Sequence, residues 1–167
     1  QAEKKLVLDY FNEIDSCDIE SLTEVISKYV SEDFNMKCTH PFNEISSTDL
    51  IAKNLWKPIK DSFSPIQRRL DIFYAGVNTL DKNEGKWISS MGHFMGVFNK
   101  SFLGLKPNYK SILLRFAEFY KVENNKITEG AIFLDVMNFM QQLGLSVIPE
   151  STGLVCVTPG PMNHKGL

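Results

Sequence analysis

The sequence has little cysteine, no long apolar run and no surplus of charge of either sign, and each shortage removes a class of protein. Its three cysteines, Cys17, Cys38 and Cys156, are odd in number and far apart. That argues against a disulfide framework and fits a reduced, cytoplasmic protein. Cys38 and His40 form a Cys-x-His pair, but no second pair follows at zinc-site spacing, so no metal centre is expected. No apolar stretch approaches the roughly 20 residues that cross a bilayer. Lysine and arginine number 18 against 20 aspartates and glutamates, a formal net charge of -2 with the signs mixed along the chain. Neither nucleic acid nor a membrane surface is therefore an expected partner. The chain opens without a charged-then-apolar leader pattern, and starting at Gln1 rather than Met it reads as a piece of a longer one. Internal repeats and low-complexity tracts are missing too.

What remains is an ordinary globular composition, 43% hydrophobic over 167 residues, enough for one domain with a substantial core. The informative stretch runs from Trp87 to Gly144. It reads as strands at 87–98, 111–122 and 126–135, rich in β-branched and aromatic residues, then a helix from Val136 to Leu143. Asn99-Lys100, Lys106-Pro107-Asn108 and Asn124-Asn125 supply the turns. Alternate residues of a strand share a face. His93 then lies with Trp87, Met91, Met95 and Val97. Arg115 lies with Leu113, Ala117 and Phe119, and Asp135 with Ala131 and Phe133. Polar groups thus sit one per strand among large apolar neighbours, and a curved sheet is expected to aim all of them into one cavity.

Ahead of this stretch, residues 3–16 carry a helical stripe of Leu6, Val7, Tyr10, Phe11 and Ile14. A second helix is expected from Ser21, where Ser21-Leu22-Thr23-Glu24 has the capping-box pattern, with Leu22, Val25, Ile26, Tyr29 and Val30 as its apolar face. Residues 33–47 have no clear period. A third helix starts near Ser47 or Thr48, with a kink or break expected at Pro58. Gln67 to Thr79 alternates as a strand, and Leu80 to Gly85 is a polar hairpin connection. Helices first, then successive strands on short connections, give an α+β fold with an antiparallel meander. Residues 146–167 hold prolines and glycines, with Thr158-Pro159-Gly160-Pro161 as a breaker cluster. The expected division is a domain at 1–145 and a tail or linker at 146–167.

Several runs carry a further signal by their order and spacing: His40-Pro41-Phe42-Asn43-Glu44, Leu55-Trp56-Lys57-Pro58 and Gly92-His93-Phe94-Met95-Gly96-Val97-Phe98. Further on come Arg115-Phe116-Ala117-Glu118-Phe119-Tyr120-Lys121-Val122, Asn125-Lys126-Ile127-Thr128-Glu129, and Asp135 followed by Gln142-Leu143-Gly144. Together they resemble the SnoaL-like polyketide cyclases of the nuclear transport factor 2-like superfamily. The resemblance covers roughly residues 33 to 145. The tail from Pro159 to Leu167 is similar to a linker in longer bacterial relatives that carry a second such domain. The resemblance implies a cone-shaped α+β barrel. In it a bent antiparallel sheet of about four strands plus short extras wraps round N-terminal helices and encloses a pocket. It also implies acid–base chemistry, the closing of a ring by aldol condensation on a polyketide ester, with no metal and no cofactor.

That resemblance matches Asp135 to the family's acid/base carboxylate. By position alone Asp135 reads equally as the N-cap of the last helix. His93 is a core histidine bonded to backbone, a hydrogen-bond donor to a substrate oxygen, or a partner that tunes Asp135. Arg115 pairs with Glu118 or Glu129, or faces a substrate oxyanion. His40 and Asn43 are rim candidates, Asn43 being as good a turn former. Trp56, Trp87, Met91, Met95, Phe133 and Met140 are lining candidates or plain core. The expected function is cofactor-independent chemistry of the lyase or isomerase class on a small hydrophobic carbonyl compound. The alternatives are a binding module of the same fold and a structural half of a tandem protein. A homodimer through outward sheet residues around Phe94, Phe116 and Tyr120 is the expected assembly.

Overall fold

In the computed structural model, which describes residues 1–79, 85–145 and 149, the helices come first and a six-stranded sheet follows. Helix α1, Ala2–Ser16, buries Val7, Tyr10, Phe11 and Ile14, the stripe expected at helical spacing. A 3-10 turn at Ile19–Ser21 leads into α2, Leu22–Tyr29. The expected capping box does not form, since Ser21 has helical backbone and makes no side-chain cap bond. The 3-10 turn already supplies acceptors there: the Ser21 amide donates to Asp18 and that of Leu22 to Ile19. Helix α3, Thr48–Ile51, continues through a π turn at Ala52–Trp56 into α4, Lys57–Ser62. The irregularity therefore precedes Pro58, whose missing amide falls just after the change from π to α bonding, at the start of α4.

The strands are β1 Val30–Cys38, β2 Glu44–Ile45, β3 Gln67–Val77, β4 Lys86–Val97, β5 Ser111–Glu123 and β6 Lys126–Leu134, followed by α5, Val136–Gln142. Their order is β2-β1-β6-β5-β4-β3, a curved sheet that does not close. Strands β3 to β6 are the expected antiparallel meander. The full-length strand β1 begins at Val30, a residue expected on the face of the second helix, and runs into the aperiodic stretch; it pairs parallel to β6 and raises the count above four. All of the tail expected at 146–167 except Pro149, and most of the connection at 80–85, lie outside the described residues.

The two faces of the sheet are set by side-chain parity. Ile88, Phe94, Ile112, Leu114, Phe116, Tyr120, Ile132 and Leu134 face the helices and are buried. Tyr120 packs edge-on against Tyr10 and Phe11 of α1, and Phe94 against Trp56. This corrects the expected dimer surface: Phe94, Phe116 and Tyr120 are core residues. The outward face carries Trp87, Met91, His93, Met95, Leu113, Arg115, Ala117, Phe119, Ala131 and Phe133, paired across the strands.

Candidate functional site

His93 and Arg115 stand directly opposite one another on β4 and β5. Asp135 begins where β6 ends, and its backbone amide donates to the Arg115 carbonyl at 3.0 Å. Its carboxylate lies 3.6 Å from an Arg115 guanidinium nitrogen, both side chains about one-third exposed. The expected gathering of His93, Arg115 and Asp135 is thus present. It is on the outward face, away from the helices, because the larger set of apolar residues claims the inward parity. Arg115 takes neither partner expected for it. Glu118 points inward, and Glu129 pairs with Lys121. The Asp135 Oδ1 accepts the Asn138 amide at 2.9 Å, the N-cap bond of α5. Gln142, one turn on, binds both the amide and the carbonyl of Leu113, fastening α5 to β5.

Asp71 completes the group. Its Oδ2 lies 2.9 Å from His93 Nδ1, while His93 Nε2 is buried with no hydrogen-bond partner among the described residues. Nothing singled out Asp71 in the sequence, because strict alternation treats it as one more polar residue of β3. The remaining candidates divide by face. Met91 and Phe133 are exposed on the outward face beside the polar group, and Met95 is half-buried there. Met140 is half-buried on α5, and Trp87 lies at the far end of the outward face. His40 and Asn43 are exposed, and Asn43, at φ 56°, is a turn residue whose amide bonds Pro41.

Trp56 faces the interior, where a second polar cluster lies. The buried Arg68 guanidinium binds Asp15 at 2.9 Å and Glu118 at 2.5 Å. It also stacks among Phe11, Phe94, Trp56 and Phe116 at 4.1 to 5.3 Å from their ring centres. Ser90 and Tyr120 hydroxyls complete the shell of Glu118. Burial raises Glu118 above the usual carboxylate range, and the Arg68 charge opposes this. Burial draws the Arg68 value down, but Glu118 and Asp15 outweigh it and the net direction is upward. At this level the expected internal pocket is occupied by the protein's own arginine. Tyr10, its hydroxyl near Trp56 and Tyr120 but well aligned with neither, is also pushed up by burial. The Cys38 thiol, pushed up to about 12 by burial, is no nucleophile at neutral pH. Among the described residues no group of three or more His, Cys, Asp and Glu side chains is set to hold a metal ion, and no helix is long and apolar enough to cross a membrane.

Residues 81–143 match the family model of the SnoaL-like polyketide cyclases. No curated protein matches the sequence. The fold is similar to that of AclR, a proposed hydroxylase of Streptomyces galilaeus, with a TM-score of 0.68 at 18% identity over 90% of this chain and 85% of that one. It is also similar to a proposed SnoaL-like polyketide cyclase of Jannaschia sp. CCS1, with a TM-score of 0.65 at 15% identity over 87% and 92%. A third is a SnoaL-like polyketide cyclase of Agrobacterium tumefaciens, at 0.60 and 14% over 83% and 95%. At these identities the likeness establishes the fold.

Proposed function

We propose that this chain carries out cofactor-independent acid–base chemistry on a small hydrophobic carbonyl compound, in the manner of a polyketide cyclase, with Asp135, His93 and Arg115 as its working groups. The observation that carries the reading is the outward polar group itself. Three neighbouring strands deliver an imidazole with a free nitrogen, a guanidinium and a carboxylate to one spot with apolar side chains around it. Proton abstraction next to a carbonyl requires a proton acceptor and a cation or donor for the enolate oxygen, and the group supplies both. Met91, Met95 and Phe133 are the natural apolar contacts for the substrate. We place this activity in the reduced interior of the cell, consistent with unpaired Cys17 and Cys38. Copies of the chain pair through the end of the outward sheet face away from the polar group, around Tyr74, Trp87 and Phe119, which leaves Met91 and Phe133 to the substrate.

The test is deuterium incorporation from heavy water at the α-carbon of a panel of aromatic ketones and keto esters, followed by NMR. Native protein is expected to accelerate exchange for at least one member. Asp135→Asn should keep the fold, because Asn caps a helix about as well as Asp, yet lose about a hundredfold or more in rate. Unchanged exchange in Asp135→Asn contradicts the reading. One observation favours a binding-only role for the same surface: Asp135 is already engaged by the Asn138 amide and by Arg115. In that case ligand binds without exchange at any carbon.

A further inference from the structure

Strand β3 carries one residue more than its partner at the level of the site. Leu70 pairs with Gly92 and Ile72 with Met91, so Asp71 is the surplus residue of a bulge. A bulge re-aims a side chain, and here it turns the Asp71 carboxylate onto His93 Nδ1. Gly92 makes this approach possible. A Cβ at that position would lie 1.9 Å from the Arg69 carbonyl oxygen, so any larger residue beside His93 would force β3 away. A carboxylate oxygen can only accept, so the pairing fixes the proton on Nδ1. Nε2 then carries the lone pair, buried and unpartnered among the described residues. Arg69 and Arg115 stand opposite His93 on the flanking strands.

We propose that Asp71 is a positioning residue that holds His93 in the Nδ1–H tautomer and makes Nε2 the proton-accepting atom of the site. The inference rests on the functional reading above for its substrate class, a ketone or keto ester with an acidic α-hydrogen. In the step, the α C–H bond breaks and an Nε2–H bond forms. The electron pair left on carbon enters the enolate, whose oxygen takes the negative charge beside Arg115. The imidazolium, between its nitrogen's new proton and the Asp71 carboxylate, returns that proton when the new carbon–carbon bond has formed and its alkoxide needs one. Asp135 then serves the oxygen side of the reaction by holding Arg115.

The experiment is long-range proton–nitrogen correlation NMR on protein labelled with nitrogen-15 at histidine, which reads the neutral tautomer of His93 directly. Native protein should show Nδ1–H. Asp71→Asn, able to donate its amide to Nδ1, should show Nε2–H, as should Asp71→Ala in larger part. On any panel ketone that exchanges, Asp71→Asn should lower kcat about a hundredfold or more with KM little changed. An Nε2–H tautomer in native protein, or an unchanged tautomer in both variants, overturns the proposal while leaving the functional reading on Asp135. Failure of native protein to exchange any ketone overturns the functional reading instead, and the tautomer measurement still decides the positioning role.

Discussion

Arg68 shows how a single residue decides which side of the sheet is available for chemistry. Its guanidinium sits on the helix side among aromatic rings and between two carboxylates. Removing one partner of a buried charged set strands the other, so Arg68→Met is expected to cost about 3–5 kcal/mol. Glu118→Gln leaves Arg68 paired with Asp15 and should cost less than half as much. The two also separate by pH. The folded-state value of Glu118 is raised above its unfolded one, so the stability tied to its proton is present below the unfolded value and is lost as pH rises through the raised one. Urea unfolding between pH 4 and 8 should show this decline in native protein and a shallower one in Glu118→Gln, and equal slopes would contradict it. None of this pairing was legible, since Arg68 and Glu118 are 50 positions apart and meet only after the meander forms. The sharing of one face by His93 and Arg115 was legible from alternation. Which face it was could not be read, because Met91, Ala117 and Phe119 are as apolar as Gly92, Phe116 and Tyr120.

At the scale of elements, α1 is the piece that closes the helix side, and its ends are pinned by ion pairs and a lysine. Glu3 binds Lys86 of β4 and Glu13 binds Lys28 and Tyr29 of α2. Lys60 of α4 donates to the carbonyls of Ile14, Asp15 and Cys17, the last turn of α1 and its cap. Those carbonyls have no partner within the helix, and a cation there also meets the negative end of the helix dipole. Lys60→Met is therefore expected to destabilise by about 1–2 kcal/mol, read as a fall of several degrees in Tm with the fold intact by circular dichroism. No change in Tm would show that water satisfies these carbonyls equally well. Helix α1 and the four-strand meander were legible because their apolar period is local. Strand β1 was hidden because only Phe34, Met36 and Cys38 alternate and its parallel partner β6 lies some 90 residues on. The capping box at Ser21 failed for a related reason, as the pattern cannot reveal the preceding 3-10 turn.

At the scale of the whole molecule, the sheet separates a sealed side from an open one among the described residues. The sealed side buries large aromatic residues and its own arginine, while the open side presents Tyr74, Met91 and Phe133 next to Asp71, His93, Arg115 and Asp135. Apolar area left uncovered on one sheet face favours self-association. Sedimentation at micromolar concentration is expected to show a dimer, and Tyr74→Glu a monomer with unchanged secondary structure. A native monomer throughout would contradict the pairing. The claim on which the functional account depends is that ligand meets the outward polar group rather than the interior. Methionine-methyl and tryptophan-indole NMR during titration with the panel ketones tests it most directly. Met91 and Met95 report on the outward face, while Met36 and Trp56 are buried on the helix side. The account predicts that Met91 and Met95 shift with saturation while Met36 and Trp56 stay fixed. Shifts at Met36 and Trp56 with the outward methionines unmoved would contradict it.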